Sequence, residues 1–214
     1  MPRPVVGVNG RRSFHFLKAD WLLRTQSPNT LTNGQGFERP GTMTPNETHA
    51  LPRHIMSDWL EEGSKAPAFT LQADDGSKIK LADLKESPIV LYFYPADDTP
   101  GCTKEACAFR DRSAELAKLG AKVFGVSPDD VASHVKFRDK FKLNFPLLAD
   151  PDHAVAEKFG AWREKNMYGK KSMGIARSTY LIGKDGVIKK VWKAVKVEGH
   201  DAAVIEALKE LATE

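Results

Sequence analysis

The feature that most constrains this chain of 214 residues is one short, wholly apolar run. It extends from Ile89 to Tyr94, consists of β-branched, aliphatic and aromatic side chains, and lies between Pro88 and Pro95. A strand whose two faces are both apolar has to be covered on both sides. The run therefore predicts a central strand buried within a sheet. It is far shorter than the roughly 20 residues that cross a bilayer, so we expect no membrane-spanning segment.

Strand and helix signals alternate along the chain from Ser57 onward. Strands that alternate with covering helices predict an α/β fold, in which a mixed sheet is flanked by helices. The other predicted elements are a hairpin of strands at 69–71 and 79–81, helices at about 99–119, 130–141, 153–159 and 201–211, strands at 123–126 and 146–149, and a second hairpin at 179–182 and 187–192.

Residues 1–55 differ in charge from the domain that we assign to residues 56–214. They carry seven Arg or Lys and three Asp or Glu, whereas the rest of the chain carries 25 charges of each sign. A neutral domain with interspersed charges lacks the basic surface that nucleic acid requires. We therefore expect neither nucleic acid nor a membrane as a partner.

Three interpretations of residues 1–55 are open. The segment lacks sustained periodicity and lacks the apolar stretch of about 7–15 residues that a secretory signal needs. We favour Met43 or Met56 as the true start of the protein, which predicts a cytoplasmic location. The alternatives are an organellar transit peptide, which the arginines and the few acids suggest, and a disordered extension.

The chain has two cysteines, Cys102 and Cys107. Two are too few for a disulfide-dense scaffold or for a zinc site built from cysteines. His134 and His153 lie in separate helical stretches, at a spacing unlike known zinc patterns. We expect no metal and no cofactor.

The chemistry of the chain concentrates where the central strand ends, which is where ligand sites form in open α/β sheets. Thr99 is predicted to cap a helix whose first residue is Pro100. Cys102 then lies in the first turn, where unpaired amides and the positive end of the helix favour a thiolate. This position predicts an activated nucleophile.

Each of these residues also has a purely structural interpretation. A cysteine in a helix is often an inert, buried apolar residue, and capping alone explains a threonine at Thr99. Glu105 is a favourable acid in a first turn, and Asp97 and Asp98 are interpreted as solvated loop residues. The first-turn position and the second cysteine five residues later favour a chemical role for Cys102.

The stretch PADDTPGC resembles the Pro-x-x-x-Thr-x-x-Cys motif of peroxiredoxins. The continuation CTKEACAFRD resembles their peroxiredoxin Q branch, also called bacterioferritin-comigratory proteins. The likeness covers about residues 57–214, through VLYFYP, GVSPD, FPLLAD and RSTYLIGKDG. It implies a thioredoxin-like fold and reduction of hydrogen peroxide or organic hydroperoxides, with thioredoxin as electron donor. We expect a monomer.

The resemblance also implies roles for individual residues. Glu105 matches a recurring acid of the motif and is expected to orient the arginine of the site. The loop of residues 167–174 resembles the branch without an assigned role. Cys102 is expected to be the peroxidatic nucleophile and Cys107 the resolving thiol. Thr99 is expected to orient the peroxide, Arg177 to stabilise the thiolate, and Pro95 to shield the site from water.

The mechanism implied by the resemblance agrees with the chemistry of these residues. A thiolate that attacks a peroxide becomes a sulfenic acid, and this step requires no metal, haem or flavin. Two other functions remain open. A protein disulfide oxidoreductase normally carries Cys-x-x-Cys, whereas the spacing here is Cys-x₄-Cys, and a redox sensor would use the same thiols with little turnover.

Helix geometry predicts that the two cysteines cannot join without motion. Five residues of a regular helix separate Cα atoms by roughly 7.5 Å of rise and about 140° of rotation, which is about 8–9 Å overall. A disulfide needs Cα atoms within roughly 7 Å. We therefore expect the segment from about Thr99 to Phe109 to unwind when Cys102 and Cys107 form a disulfide.

Deletion of residues 1–55 is expected to leave peroxide reduction and the melting temperature unchanged, because that segment carries no motif and no core pattern. The two proteins are compared by peroxide consumption and by thermal unfolding in the same buffer. A large loss of either property would show that the segment contributes to the domain.

Overall fold

The computed structural model describes residues 58–167 and 170–213. The interpretations of residues 1–55, and part of the loop at residues 167–174, therefore lie outside the described residues. Within the described ranges, no helix is long and apolar enough to cross a membrane.

The described residues form two sheets. Seven strands make the central sheet in the order β2-β1-β5-β4-β3-β8-β9, and β6 and β7 form a separate antiparallel pair. The strands are β1 (Thr70–Ala73), β2 (Lys78–Lys80), β3 (Ile89–Phe93), β4 (Lys122–Ser127), β5 (Leu147–Ala149), β6 (Trp162–Met167), β7 (Lys170–Ile175), β8 (Ser178–Ile182) and β9 (Ile188–Trp192).

Helices cover both faces of the central sheet. A 3₁₀ turn at Leu81–Leu84 precedes β3. The first, second, third and fifth helices bury side chains against one face of the sheet, and the fourth helix buries side chains against the other face. The helices are α1 (Pro100–Asp111), α2 (Ser113–Lys118), α3 (Val131–Phe141), α4 (Ala154–Lys158) and α5 (His200–Thr213).

Strand β3 lies in the interior of the sheet, between β4 and β8, and is buried as its sequence predicts. All five of its residues are buried. It pairs in parallel with β4, from Ile89 opposite Lys122 to Phe93 opposite Val126, and antiparallel with β8. Its odd-numbered residues belong to the cluster beneath α4, and its even-numbered residues pack with α1. The mixed α/β sheet, the two hairpins and the final helix are confirmed.

The bounds of the helix predicted for residues 99–119 are confirmed, but the structure interrupts it at Arg112 and so divides it into α1 and α2. Arg112 joins them with φ −92° and ψ 2°, and its carbonyl accepts from the amides of both Glu115 and Leu116 at 3.0 Å. The amide of Arg112 bonds the carbonyl of Ala108 at 3.2 Å, so helical bonding continues across the interruption, and Leu116 beyond it is buried. Apolar spacing alone does not reveal this interruption.

The β6–β7 hairpin was not predicted. Charged and polar residues fill most of both strands, so neither shows the apolar alternation that marks a half-buried strand. The six paired positions run from Trp162 opposite Ile175 to Met167 opposite Lys170. The hairpin matters for the site because Arg177 follows it immediately, before β8 begins.

Candidate active site

The connection between β3 and α1 delivers Cys102 to the sheet edge. The amide of Tyr94 still bonds the carbonyl of Val126 at 3.0 Å, after which the chain turns and α1 begins at Pro100. The amide of Thr103 donates to the carbonyl of Thr99 at 2.8 Å. Cys102 is therefore the third residue of the helix, within the first turn, as predicted.

Cys102 contacts Arg177, although 75 residues separate them. Nη2 of Arg177 donates to Sγ of Cys102 at 3.3 Å. The cysteine is 1% exposed, so a negative charge on its sulfur depends on partners within the protein. The guanidinium and the first turn of α1 supply positive charge and donors at this point. The structure thus brings Arg177 to Cys102, while the stabilising role of Arg177 stays a prediction.

Glu105 holds the same guanidinium. Nη1 of Arg177 donates to Oε2 of Glu105, in a part-buried ion pair. Glu105 lies three residues after Cys102, so both side chains lie on one face of α1. The expected contact between Glu105 and Arg177 is confirmed, and it fixes the guanidinium by two of its nitrogens.

Burial affects the pKa values of both Glu105 and Arg177. Burial is the largest influence on Glu105, which is 2% exposed, and it raises the pKa of the carboxyl to about 7 against the opposing pull of Arg177. Burial also works against the charge of Arg177, but Glu105 and Cys102 outweigh it and raise the pKa of the guanidinium. Arg177 is thus permanently charged, whereas Glu105 titrates near neutral pH.

Thr99 occupies the cap position, but its hydroxyl does not cap the helix. Oγ1 instead donates to the carbonyl of Ala96 at 3.1 Å. A carbonyl accepts and cannot donate, so the single hydroxyl proton is committed to Ala96. The lone pairs of Oγ1 remain able to accept a hydrogen bond from another molecule.

Cys107 and Pro95 lie at the margins of the site. Cys107 is half-buried on α1 and is a free thiol, as is Cys102. Both cysteines lie on α1, which confirms the prediction that one helix carries them. Pro95 is half-buried at the start of the loop that leads to α1. Its shielding role stays a prediction.

The interpretation of Asp97 as a solvated loop residue is wrong. Its carboxylate is 5% exposed and accepts from Tyr94, Ser133 and His134. The last two residues are on α3, 36 and 37 positions along the chain, so no local pattern could reveal these bonds. Asp98 is exposed and pairs with Lys140, as a solvated residue would.

No group of three or more metal-ligating side chains occurs within residues 58–167 and 170–213. His134 is buried and bonded to Asp97, and His153 stacks on Trp162 with ring centroids 3.8 Å apart.

The fold and the site define a class of protein: thiol-dependent peroxidases of thioredoxin-like architecture. The family described as the AhpC/TSA family matches residues 63–191, which is more than half of the chain. The chain belongs to this family, and it is a peroxiredoxin.

Curated relatives agree with this assignment. The putative peroxiredoxin Bcp of Coxiella burnetii is 52% identical over 149 residues, which are 70% of this chain and 99% of that protein. Peroxiredoxin Bcp of Bacillus subtilis is 49% identical, over 72% of this chain and 98% of that protein.

A solved structure is also similar. Peroxiredoxin Q of Xanthomonas campestris superposes with a TM-score of 0.65 at 44% identity, over 67% of this chain and 91% of that one. Its match confirms the thioredoxin-like fold.

Substitution of Gly101 by Ala is expected to slow the reaction with peroxide about tenfold without loss of stability. A Cβ atom at Gly101 would lie 3.2 Å from Nη2 of Arg177 and would press the guanidinium away from Cys102. Ala is a better helix former than Gly by about 1 kcal/mol, so the fold should tolerate the change. The measurements are the second-order rate constant with hydrogen peroxide and urea unfolding. An unchanged rate constant would contradict the close packing of Gly101 and Arg177.

The raised pKa of Glu105 predicts a pH-dependent stability. A carboxyl whose pKa moves from 4.5 to about 7 on folding favours the folded state below pH 4.5, and this contribution is lost as pH rises through 7. We expect the unfolding free energy of the native protein, relative to Glu105→Gln, to fall by about 3 kcal/mol across this window. Both proteins should carry Cys102→Ser, so that the thiol does not titrate. A constant difference between pH 4.5 and 8 would contradict the shift.

Proposed function

We propose that this peroxiredoxin reduces hydrogen peroxide and organic hydroperoxides through Cys102, forms a Cys102–Cys107 disulfide, and is recycled as a monomer by thioredoxin. The observation that carries the proposal is the bond from Nη2 of Arg177 to Sγ of Cys102, at 3.3 Å within the first turn of α1. These positive groups favour a thiolate on an otherwise buried sulfur.

In the first step, the Cys102 thiolate attacks one peroxide oxygen. The sulfur–oxygen bond forms as the oxygen–oxygen bond breaks, and the leaving oxygen departs with a proton as water or alcohol. Thr99 accepts a hydrogen bond from the peroxide hydroxyl, because its own proton is held by Ala96. Arg177 stabilises the charge that develops on the oxygens, and Pro95 limits the access of water.

In the second step, the Cys107 thiol attacks the sulfur of the Cys102 sulfenic acid and water leaves. On the intact helix the two Cα atoms are about 8–9 Å apart, which is too far for a disulfide. The helix therefore opens locally before the bond forms.

In the third step, a dithiol reductant cleaves the disulfide by thiol exchange and returns both cysteines to the thiol form. Thioredoxin is the proposed reductant, on the strength of the resemblance described above. The range of substrates has a parallel in the Xanthomonas campestris bacterioferritin comigratory protein, a similar structure described with alkyl peroxide reduction activity.

Replacement of each cysteine by Ser is expected to separate the steps. Cys102→Ser should abolish peroxide reduction, because it removes the nucleophile. Cys107→Ser should keep the first oxidation of Cys102 at a normal rate and lose turnover with thioredoxin. Peroxide consumption is followed with thioredoxin, its reductase and NADPH, and the first oxidation is followed by mass spectrometry.

Equal initial peroxide consumption by Cys102→Ser and the native protein would overturn the assignment of the nucleophile. Steady turnover by Cys107→Ser with thioredoxin would overturn the assignment of the resolving thiol. Reduction of insulin disulfides without peroxide turnover would instead favour a disulfide oxidoreductase.

Oxidation is expected to reduce amide-exchange protection in α1, from Thr103 to Phe109, because that segment has to open to form the disulfide. Helix α5 serves as the internal control and should keep its protection. Hydrogen exchange is compared for the reduced and the oxidised protein, with the disulfide verified by mass spectrometry. Undiminished protection across Thr103–Phe109 in a verified disulfide form would show that opening is not required.

A further inference from the structure

The loop between β3 and α1 is anchored by one buried carboxylate. Oδ1 of Asp97 accepts from the hydroxyl of Tyr94 at 2.7 Å, and Oδ2 accepts from Oγ of Ser133 at 2.7 Å and from Nδ1 of His134 at 2.8 Å. Tyr94 directly follows β3, whereas Ser133 and His134 lie at the start of α3. Asp97 therefore ties the loop to two separate elements.

The backbone of Asp97 is anchored as well. Its amide donates to Oδ2 of Asp129 at 2.8 Å, and the same oxygen accepts from the hydroxyl of Ser127 at 2.7 Å. Ser127 is the last residue of β4 and is buried, so this second anchor is part of the central sheet. The main chain of Asp97 is thus held by the β4–α3 connection, and its side chain by Tyr94 and by α3.

This anchorage contrasts with the next residue. Burial of Asp97 works against its charge, but the hydrogen bonds from His134, Ser133 and Tyr94 outweigh it and lower the pKa of the carboxyl. Asp98 is 48% exposed, has φ 53° and pairs with Lys140 at the surface. Two adjacent aspartates in one loop therefore have opposite environments.

The anchor acts on the site through Ala96. The carbonyl of Ala96 directly precedes Asp97, and it accepts the hydroxyl proton of Thr99. Where this carbonyl points decides where the lone pairs of Thr99 point, one helical turn before Cys102. The contacts of Arg177 with Cys102 and Glu105 involve none of these atoms.

We propose that Asp97 is a positioning residue for peroxide reduction: its buried carboxylate fixes the Pro95–Thr99 loop and so aims the Thr99 hydroxyl at the bound peroxide. This inference rests on the role given to Thr99 in the proposed function. It separates two properties of the site. Formation of the thiolate depends on Arg177 and α1, whereas alignment of the peroxide depends on Asp97. Misplacement of a positioning group by about 1 Å costs rates on the order of 100-fold.

The test uses Asp97→Asn, with Asp98→Asn as the matched control on the same loop. All proteins are full-length and carry Cys107→Ser, so that Cys102 is the sole thiol. An amide keeps the shape of Asp97 but cannot accept at both positions. The first readout is the second-order rate constant of Cys102 oxidation by hydrogen peroxide. The second is the pH profile of alkylation by iodoacetamide, which needs the thiolate but no peroxide alignment.

We expect Asp97→Asn to lower the peroxide rate constant at least tenfold and to leave the alkylation profile unchanged. Asp98→Asn should change neither. Ser133→Ala keeps the carboxylate and removes one donor, so it should lower the peroxide rate constant several-fold. It also serves as the milder variant if Asp97→Asn fails to fold.

A double-mutant cycle tests whether Asp97 acts through Thr99. If it does, Asp97→Asn should add little to the loss caused by Thr99→Val. Additive losses would overturn the proposal, as would a native peroxide rate in Asp97→Asn or an equal fall in peroxide and alkylation rates. Failure of the proposed function is distinct, because the parent protein with Asp97 intact would then not react with peroxide.

Discussion

The Arg177 guanidinium is the interaction on which the site depends. One nitrogen bonds the sulfur of Cys102 and another bonds the carboxylate of Glu105, so a single cation joins α1 to the segment that leads into β8. Both residues of α1 lie on one helical face, which makes the two bonds simultaneous. Because β8 pairs directly with β3, and β3 leads into the loop before α1, the cation and the nucleophile are fixed to adjacent strands. The pairing of β3 with β8 therefore fixes the position of Arg177 beside Cys102.

Helix α1 has two demands placed on it that conflict. Its first turn places Cys102 beside Arg177, whereas the proposed Cys102–Cys107 disulfide requires the regular geometry of the helix to open. The loop before the helix has supports that do not depend on α1. Asp97 bonds Asp129, which follows β4, and also Ser133 and His134 of α3.

Local patterns were sufficient for the elements that bury apolar side chains and for the start of α1. The apolar run of β3, the Thr99-Pro100 helix start and the position of Cys102 in the first turn all depend on neighbours within a few residues, and all are confirmed. Local sequence patterns did not predict two other features of the fold. The polar β6–β7 hairpin has no apolar alternation, and the interruption at Arg112 leaves the apolar spacing of the helix unchanged.

The sequence by itself determined the α/β class, the buried strand β3 and the position of Cys102 in the first turn of a helix, because strand burial and helix starts follow from local side-chain chemistry. It also named Arg177 and Glu105, but through the resemblance, since nothing local places a residue 75 positions away on a sulfur. The tertiary structure alone decided that the Thr99 hydroxyl bonds Ala96 rather than the helix, and that Asp97 is buried while Asp98 is exposed. The physical reason is that a hydrogen bond depends on which donors folding brings within about 3 Å, and two of the three donors to the Asp97 carboxylate come from a helix more than 30 residues away.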